Sequence, residues 1–299
     1  MMLEKASQAA HKLSYKGIFV YQSGSTVNSM QITHMNYAQG GEFAHLVSLD
    51  GQPREVLRQG NEVVIYSPRS EKVLIERRRV QASFPAVLPG LTNMLKVSYQ
   101  VRNLGFERVG GREAVIVFLE PKDQLRYGYR FYVDKEYGLL LKSVMLNEHG
   151  QMLEQVAFNQ LVLMNNNNNS QKMDWFRPEV ARGKAYIMQP EEKVEPGEAE
   201  NEVWAIAELP AGFRKVDQIL RLMPGKTSPV QQLVFSDGMA SVSLFIEPLE
   251  KNVEPKQGLV TQGGTSVYAL VVDGYQEIVV GEVPEATVRL IADAITFKK

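Results

Sequence analysis

Four histidines, His11, His34, His45 and His149, are the side chains here that could both titrate near neutrality and bind a metal, because the chain has no cysteine. His34 and His45 fall on adjacent predicted strands and could approach one another, but no carboxylate-rich ligand spacing surrounds them, so no metal site is expected. No Gly-Lys-Ser/Thr phosphate loop, dinucleotide fingerprint, nucleophile elbow or zinc-protease motif is present, and no cofactor follows from the sequence. Acid pairs such as Glu107 and Glu113 could serve acid–base catalysis. However, a chain with 34 acidic residues supplies such pairs by chance, and solvation explains them at less cost. No catalytic residue is expected. The absence of cysteine also removes disulfides and thiolate nucleophiles, and is compatible with a reducing or an oxidising compartment.

Two basic stretches offer binding chemistry. Arg77-Arg78-Arg79 could hold an acidic partner, a phosphate or a lipopolysaccharide headgroup; the competing reading is a charged guard at a strand end. Lys122 to Arg130 (KDQLRYGYR) mixes cations with aromatic rings, as nucleic-acid surfaces do, yet alternation on a half-buried strand accounts for it. With 33 Lys plus Arg against 34 Asp plus Glu and a pI near 6.5, no field favours nucleic acid or an anionic membrane.

These groups must be carried by more than one domain, because 299 residues exceed the usual size of a single core. No run approaches the roughly 18 apolar residues of a membrane span, and no basic-then-apolar leader opens the chain. The expectation is a soluble protein, and an exported one would be represented here without its leader. Leu3, Ala6, Ala10 and Leu13 recur at helical spacing before Gly17, predicting an amphipathic helix that lies on a sheet. From Gly17 to Leu163 the pattern is short β runs separated by turn signals at Gly24, Asp50-Gly51, Gly60-Asn61, Pro68, Gly110-Gly111, 134–138 and 148–150. Parallel pairing would need crossovers that are missing, so the reading is an antiparallel meander of about eleven strands, strongly curled. In 126–134, Tyr127, Tyr129, Phe131 and Val133 take one face; Arg126, Gly128 and Arg130 take the other.

One segment breaks the rhythm. In 83–96, Phe84, Val87, Leu88, Leu91, Met94 and Leu95 form an apolar stripe at helical spacing, interrupted by Pro85, Pro89 and Gly90. Two readings compete: a plug over the concave side of the curved sheet, which an acyl chain could displace, and ordinary core packing. After Met164 the pattern dissolves into Asn165–Asn169 and then an acidic, Pro-bearing stretch. That sets the expected organisation as a sheet domain at 1–164, a linker at 165–201 and a smaller domain at 202–299. The smaller domain shows strands near 202–208, 230–236, 240–247, 265–273 and 275–281 and a helix at 284–295, with Pro284 in its first position. Within it, Phe235, Val242 and Phe245 alternate with polar neighbours on the pair 230–247, where an exposed edge could accept an extended peptide; core packing is again the alternative. The fold class is α+β, mainly β: a large curved antiparallel half-barrel with covering helices plus a smaller α/β module.

Three stretches together, LEPKDQLRYGYRFYVDKEYGLLLKSVMLNEHGQMLEQVAF (119–158), ELPAGF (208–213) and QLVFSDGMASVSLFIEP (232–248), strongly resemble the MucB/RseB family of sigma-E factor regulatory proteins. SLDGQPREVLRQGNEVVIYSP (48–68) and VGEVPEATVRLIADAITF (280–297) fit the same family in the same order. The first ~45 residues and the linker do not match residue by residue. The resemblance implies a periplasmic, non-enzymatic protein that binds the periplasmic domain of a transmembrane anti-sigma factor and shields it from site-1 proteolysis. It further implies a large domain similar to the lipoprotein carriers of the Lol pathway, which senses lipid, lipoprotein or lipopolysaccharide fragments and then releases the partner. The small domain would supply much of the partner contact, and dimerisation is common in the family. A periplasmic lipid or lipoprotein carrier is the alternative.

Overall fold

The computed structural model describes residues 2–37, 41–59, 62–67, 72–77, 84–88, 92–164, 184–187, 192–193, 204–221, 230–249 and 254–297. Helix α1 (Met2–Lys12) leads into β1 (Ser14–Ser23), β2 (Thr26–Tyr37), β3 (Gly41–Ser48), β4 (Glu55–Gln59), β5 (Glu62–Ser67) and β6 (Lys72–Arg77), each hydrogen-bonded antiparallel to the one before. After α2 (Thr92–Ser98), the strands β7 (Tyr99–Val109), β8 (Arg112–Pro121), β9 (Gly128–Asp134), β10 (Leu140–Leu146) and β11 (Met152–Met164) form a second antiparallel meander. The two halves join where β1 pairs with β11, with Tyr15 opposite Leu163 and Phe19 opposite Phe158. The predicted eleven-strand antiparallel sheet is therefore present. A twelfth strand, β12 (Lys184–Ile187), comes from the stretch expected to be linker and pairs parallel to β6.

The sheet stays open, with β12 and β7 at its ends. It curls until a side chain placed on Gly110, in the β7–β8 turn, would lie 3.0 Å from the Phe158 carbonyl on β11. This order forces the chain to travel from β6 at one side to β7 at the other, so the segment between them must cross a face. Its apolar stripe selects the concave one. There Phe84, Leu88 and Leu95 are buried in one core with Leu3, Ala6 and Ala10 of α1 and with Phe19, Phe131 and Phe158 of the sheet.

The remaining chain builds a seven-stranded sheet in the order β13-β15-β16-β17-β20-β19-β18, from β13 (Glu192–Lys193), β15 (Arg214–Arg221), β16 (Val230–Ser236), β17 (Ser241–Pro248), β18 (Gly258–Gln262), β19 (Thr265–Val272) and β20 (Tyr275–Gly281). A separate pair joins β14 (Trp204–Ile206) to β21 (Ile295–Phe297). Helix α3 (Glu285–Asp293) packs on β19 and β20, and its Val288 and Ile291 complete a core with Leu233, Phe235, Val242, Leu244 and Val279. Pro284 caps this helix instead of opening it. Strands β15 and β18 go beyond the sequence reading. A bulge between Lys215 and Asp217 breaks the alternation of β15, and β18 lies almost wholly exposed at the sheet edge, so neither carries a clean two-residue period.

Candidate functional site

The concave face is lined by aromatic rings. The Phe84 ring lies 4.9 Å from that of Phe158 and 5.3 Å from that of Phe19, centroid to centroid, and Phe158 meets Phe19 edge-on at 6.0 Å. Among the residues expected to bind lipid, Phe84, Leu88 and Leu95 are buried here and Val87 packs against them half-buried. Leu91 lies outside the described residues, as does the side chain of Met94. Arg78, Arg79 and the side chain of Arg77 lie outside them too. Phe84, Val87, Leu88 and Leu95 thus contribute side chains to the core of the larger sheet, as the packing reading expects.

On the smaller sheet, Phe235 and Val242 are fully buried against α3, and Phe245 is half-buried on the opposite face. The edge expected at 230–247 is not there. β16 is flanked by β15 and β17, and β17 by β16 and β20, so their backbone groups are already paired on both sides. Phe235 and Val242 hold the core together and are shielded from an incoming peptide.

The two sheets meet at a buried charge. Arg126 was expected on the polar face of a half-buried strand, but β9 begins only at Gly128 and Arg126 turns into the contact between the sheets. Its Nη1 donates to Asp237 Oδ2 at 2.8 Å, its Nη2 to the Ala211 carbonyl at 2.6 Å and its Nε to Asp123 Oδ1 at 2.9 Å. Both Arg126 and Asp237 side chains are 0% exposed. The guanidinium also lies over the Phe213 ring at 5.3 Å and the Tyr99 ring at 5.9 Å. Asp237 Oδ1 accepts from the amides of Met239 and Ala240 at 2.8 Å each, so the carboxylate is saturated. Nearby, Thr287 of α3 donates to the Leu125 carbonyl at 2.6 Å. Gly212 holds a left-handed conformation (φ 85°), and a side chain there would run into Ser98 Oγ and the Arg126 guanidinium. The three stretches that carry the family resemblance, 119–158, 208–213 and 232–248, thus converge on one joint through Arg126, Ala211 to Phe213, and Asp237. A tertiary contact of this kind leaves no periodic signal in the sequence.

The ionisable groups elsewhere are structural in their geometry. His34 and His45 point to opposite faces of adjacent strands, with His45 in register with Thr33 and His34 with Ala44. Buried His34 stacks on Tyr15 at 4.7 Å and bonds through Nδ1 to the Leu13 carbonyl and through Nε2 to Glu42. His45 pairs with Glu55 at 3.1 Å. Glu42 also accepts from His11 and Arg58. Burial opposes its ionisation, but the bonds from His11 and His34 and the Arg58 charge outweigh this and hold the carboxyl well below its ordinary range. Glu107 is exposed, while Glu113 bridges to Lys135 at the surface. Among the described residues no group of His, Asp and Glu is placed to hold a metal ion, and no helix is long and apolar enough to cross a membrane.

Comparison with known proteins covers both sheets. Residues 1–179 match the MucB/RseB N-terminal domain and residues 198–296 the MucB/RseB C-terminal domain. The sigma factor AlgU regulatory protein MucB of Pseudomonas aeruginosa is 31% identical over 98% of this chain and 89% of its own length. The sigma-E factor regulatory protein RseB of Haemophilus influenzae is 26% identical over 99% of this chain and 90% of its own. The crystal structure of MucB in complex with MucA(peri) superposes with a TM-score of 0.75 at 28% identity, covering 100% of this chain and 98% of that one. A curved sheet with an aromatic concave face, a second sheet locked to it at Arg126, and matches that run through both place this chain in the MucB/RseB family of sigma factor regulatory proteins.

Proposed function

We propose that the protein is a periplasmic negative regulator of the envelope-stress response. In this reading it binds the periplasmic domain of a transmembrane anti-sigma factor, shields it from site-1 proteolysis and lets it go on sensing lipid or lipoprotein. It acts by binding and has no catalytic step. The observation that carries the sensing half is the apolar cover, Phe84, Leu88 and Leu95, seated on the aromatic concave face. The partner half is supported by relatives named as sigma factor regulators and by the solved complex of MucB with MucA(peri).

The energetics allow the exchange. Burying three apolar side chains is worth about 5–9 kcal/mol, and an acyl tail of about twelve methylenes brings roughly 10 kcal/mol to the same surface. A lipid tail can therefore replace the cover. Truncating it with Phe84→Ala removes about 3–5 kcal/mol of its seating and so raises lipid affinity. Placing a charge in it with Leu88→Asp unseats the cover more completely and carries the carboxylate off the face with it, so lipid uptake rises further.

Isothermal titration with the anti-sigma periplasmic domain from the same organism, repeated with a short-chain phospholipid, tests the proposal. Binding that lipid weakens supports it. No binding of the domain in either condition, with lipid still taken up, would leave a lipid or lipoprotein carrier as the reading.

A further inference from the structure

The cover and the joint share α2. It buries Leu95 in the same core as Phe84 and Leu88, and its last residue, Ser98, lies against Gly212 ahead of β15. Tyr99 comes next. It is almost fully buried, meets Tyr129 edge-on at 6.4 Å and carries the Arg126 guanidinium 5.9 Å above its ring. The Ser98 carbonyl accepts from the Lys122 amide at 3.0 Å, which fixes this corner to the loop that presents Arg126. Any shift of α2 along the concave face therefore moves the floor on which the joint stands.

The corner is also under-satisfied. Ser98 Oγ and Tyr99 OH are both buried and have no hydrogen-bond partner among the described residues. Buried orphaned hydroxyls are costly in the arrangement that holds them, so a second arrangement that hydrates them lies closer in free energy than a saturated joint would allow. By contrast Arg126 and Asp237 have every contact they need in the closed form.

We propose that Ser98 and Tyr99 couple the cover on the concave face to the Arg126–Asp237 joint, so that displacing the cover opens the two sheets and opening the joint loosens the cover. This rests on the lipid-release reading above for its biological use, and on geometry alone for the coupling itself. Coupling is reciprocal, so it is measurable from either end without lipid or partner.

Hydrogen exchange of the whole chain, read by mass spectrometry, is the test. Arg126→Met is expected to speed exchange in 84–98 by about tenfold or more, the size of a typical coupling. Leu88→Asp is expected to do the same in 208–213 and 237–240. Arg126→Lys keeps the charge, loses the fork and gives the same direction at smaller size, which covers the case of an Arg126→Met chain that does not fold. Arg130→Met, on β9 outside the joint, serves as control. Changes confined to the neighbourhood of each substitution would overturn the proposal. Reciprocal exchange with partner affinity unmoved by Arg126→Lys would uphold the coupling and overturn the release reading instead.

Discussion

Arg126 Nη1 lies 2.8 Å from Asp237 Oδ2 with both side chains fully buried, although 111 residues of chain separate them. Such a pair is worth little over an apolar replacement, but removing one member leaves a buried charge alone, at about 3–5 kcal/mol. Arg126→Met and Asp237→Asn should each destabilise the smaller sheet strongly, and the double variant should recover about 2 kcal/mol of the summed loss. Urea unfolding followed by the fluorescence of Trp204, buried in that half, reads the cycle. Losses that simply add would mean the pair does not act as a unit.

Glu42 gathers His11, His34 and Arg58 from α1, β2 and β4 onto one carboxylate. Its folded pKa is depressed below the ordinary 4.5, so its contribution is full above that pH and is lost as pH falls through and below it. Glu42→Gln should cost about 2 kcal/mol at neutral pH, chiefly by loosening α1, and progressively less in acid. Stability measured at pH 7 and pH 3.5 checks this. An equal cost at both would show that the carboxylate charge is not what holds the helix.

Glu277 behaves in the opposite sense. It is 1% exposed, and neither carboxylate oxygen has a hydrogen-bond partner among the described residues. Burial, with Asp293 adding to it, pushes its pKa from 4.5 up to about 7. The folded chain then holds a proton that the unfolded chain has released, so stability falls as pH rises from about 4.5 to about 7, by up to about 3 kcal/mol, and is flat beyond. Glu277→Gln should remove this slope and stabilise the protein at pH 8 more than at pH 5. A uniform effect across that range would be the contrary result.

The curved sheet was legible because short β-rich runs recur between glycine-bearing turns with no crossover segments; the cover was legible as the one helical period among them. The sheet edge expected at 230–247 is absent for a traceable reason. β15, bulged at Lys215–Asp217 and with Val216 exposed, shows no period, and without it the pair 230–247 looks like a sheet edge. Arg126 was hidden differently. Two residues before β9, it continues the alternation of Tyr127 to Val133 and reads as a solvated strand position. Its burial is decided by Asp237 and Ala211, far along the chain, which no local pattern reports. Periodicity reveals which face an element buries, not what meets it.

Where the two sheets touch on the other side, Ser23 at the end of β1 faces the turn between β18 and β19, and a Cβ added at Gly263 would sit 2.7 Å from Ser23 Oγ. The chain has no cysteine, so a Ser23→Cys/Gly263→Cys pair forms a single unambiguous disulfide. Gly263 holds φ 58°, which costs a cysteine about 1–2 kcal/mol, less than a closed long loop returns. On oxidation the staple should form readily if the sheets meet in solution as they do here. It should leave binding of the anti-sigma domain near that of the unaltered chain and abolish its weakening by short-chain phospholipid, which dithiothreitol then restores. Release that proceeds unchanged with the staple closed would mean that the partner is let go without any parting of the sheets, and lipid would then have to act through the concave face alone.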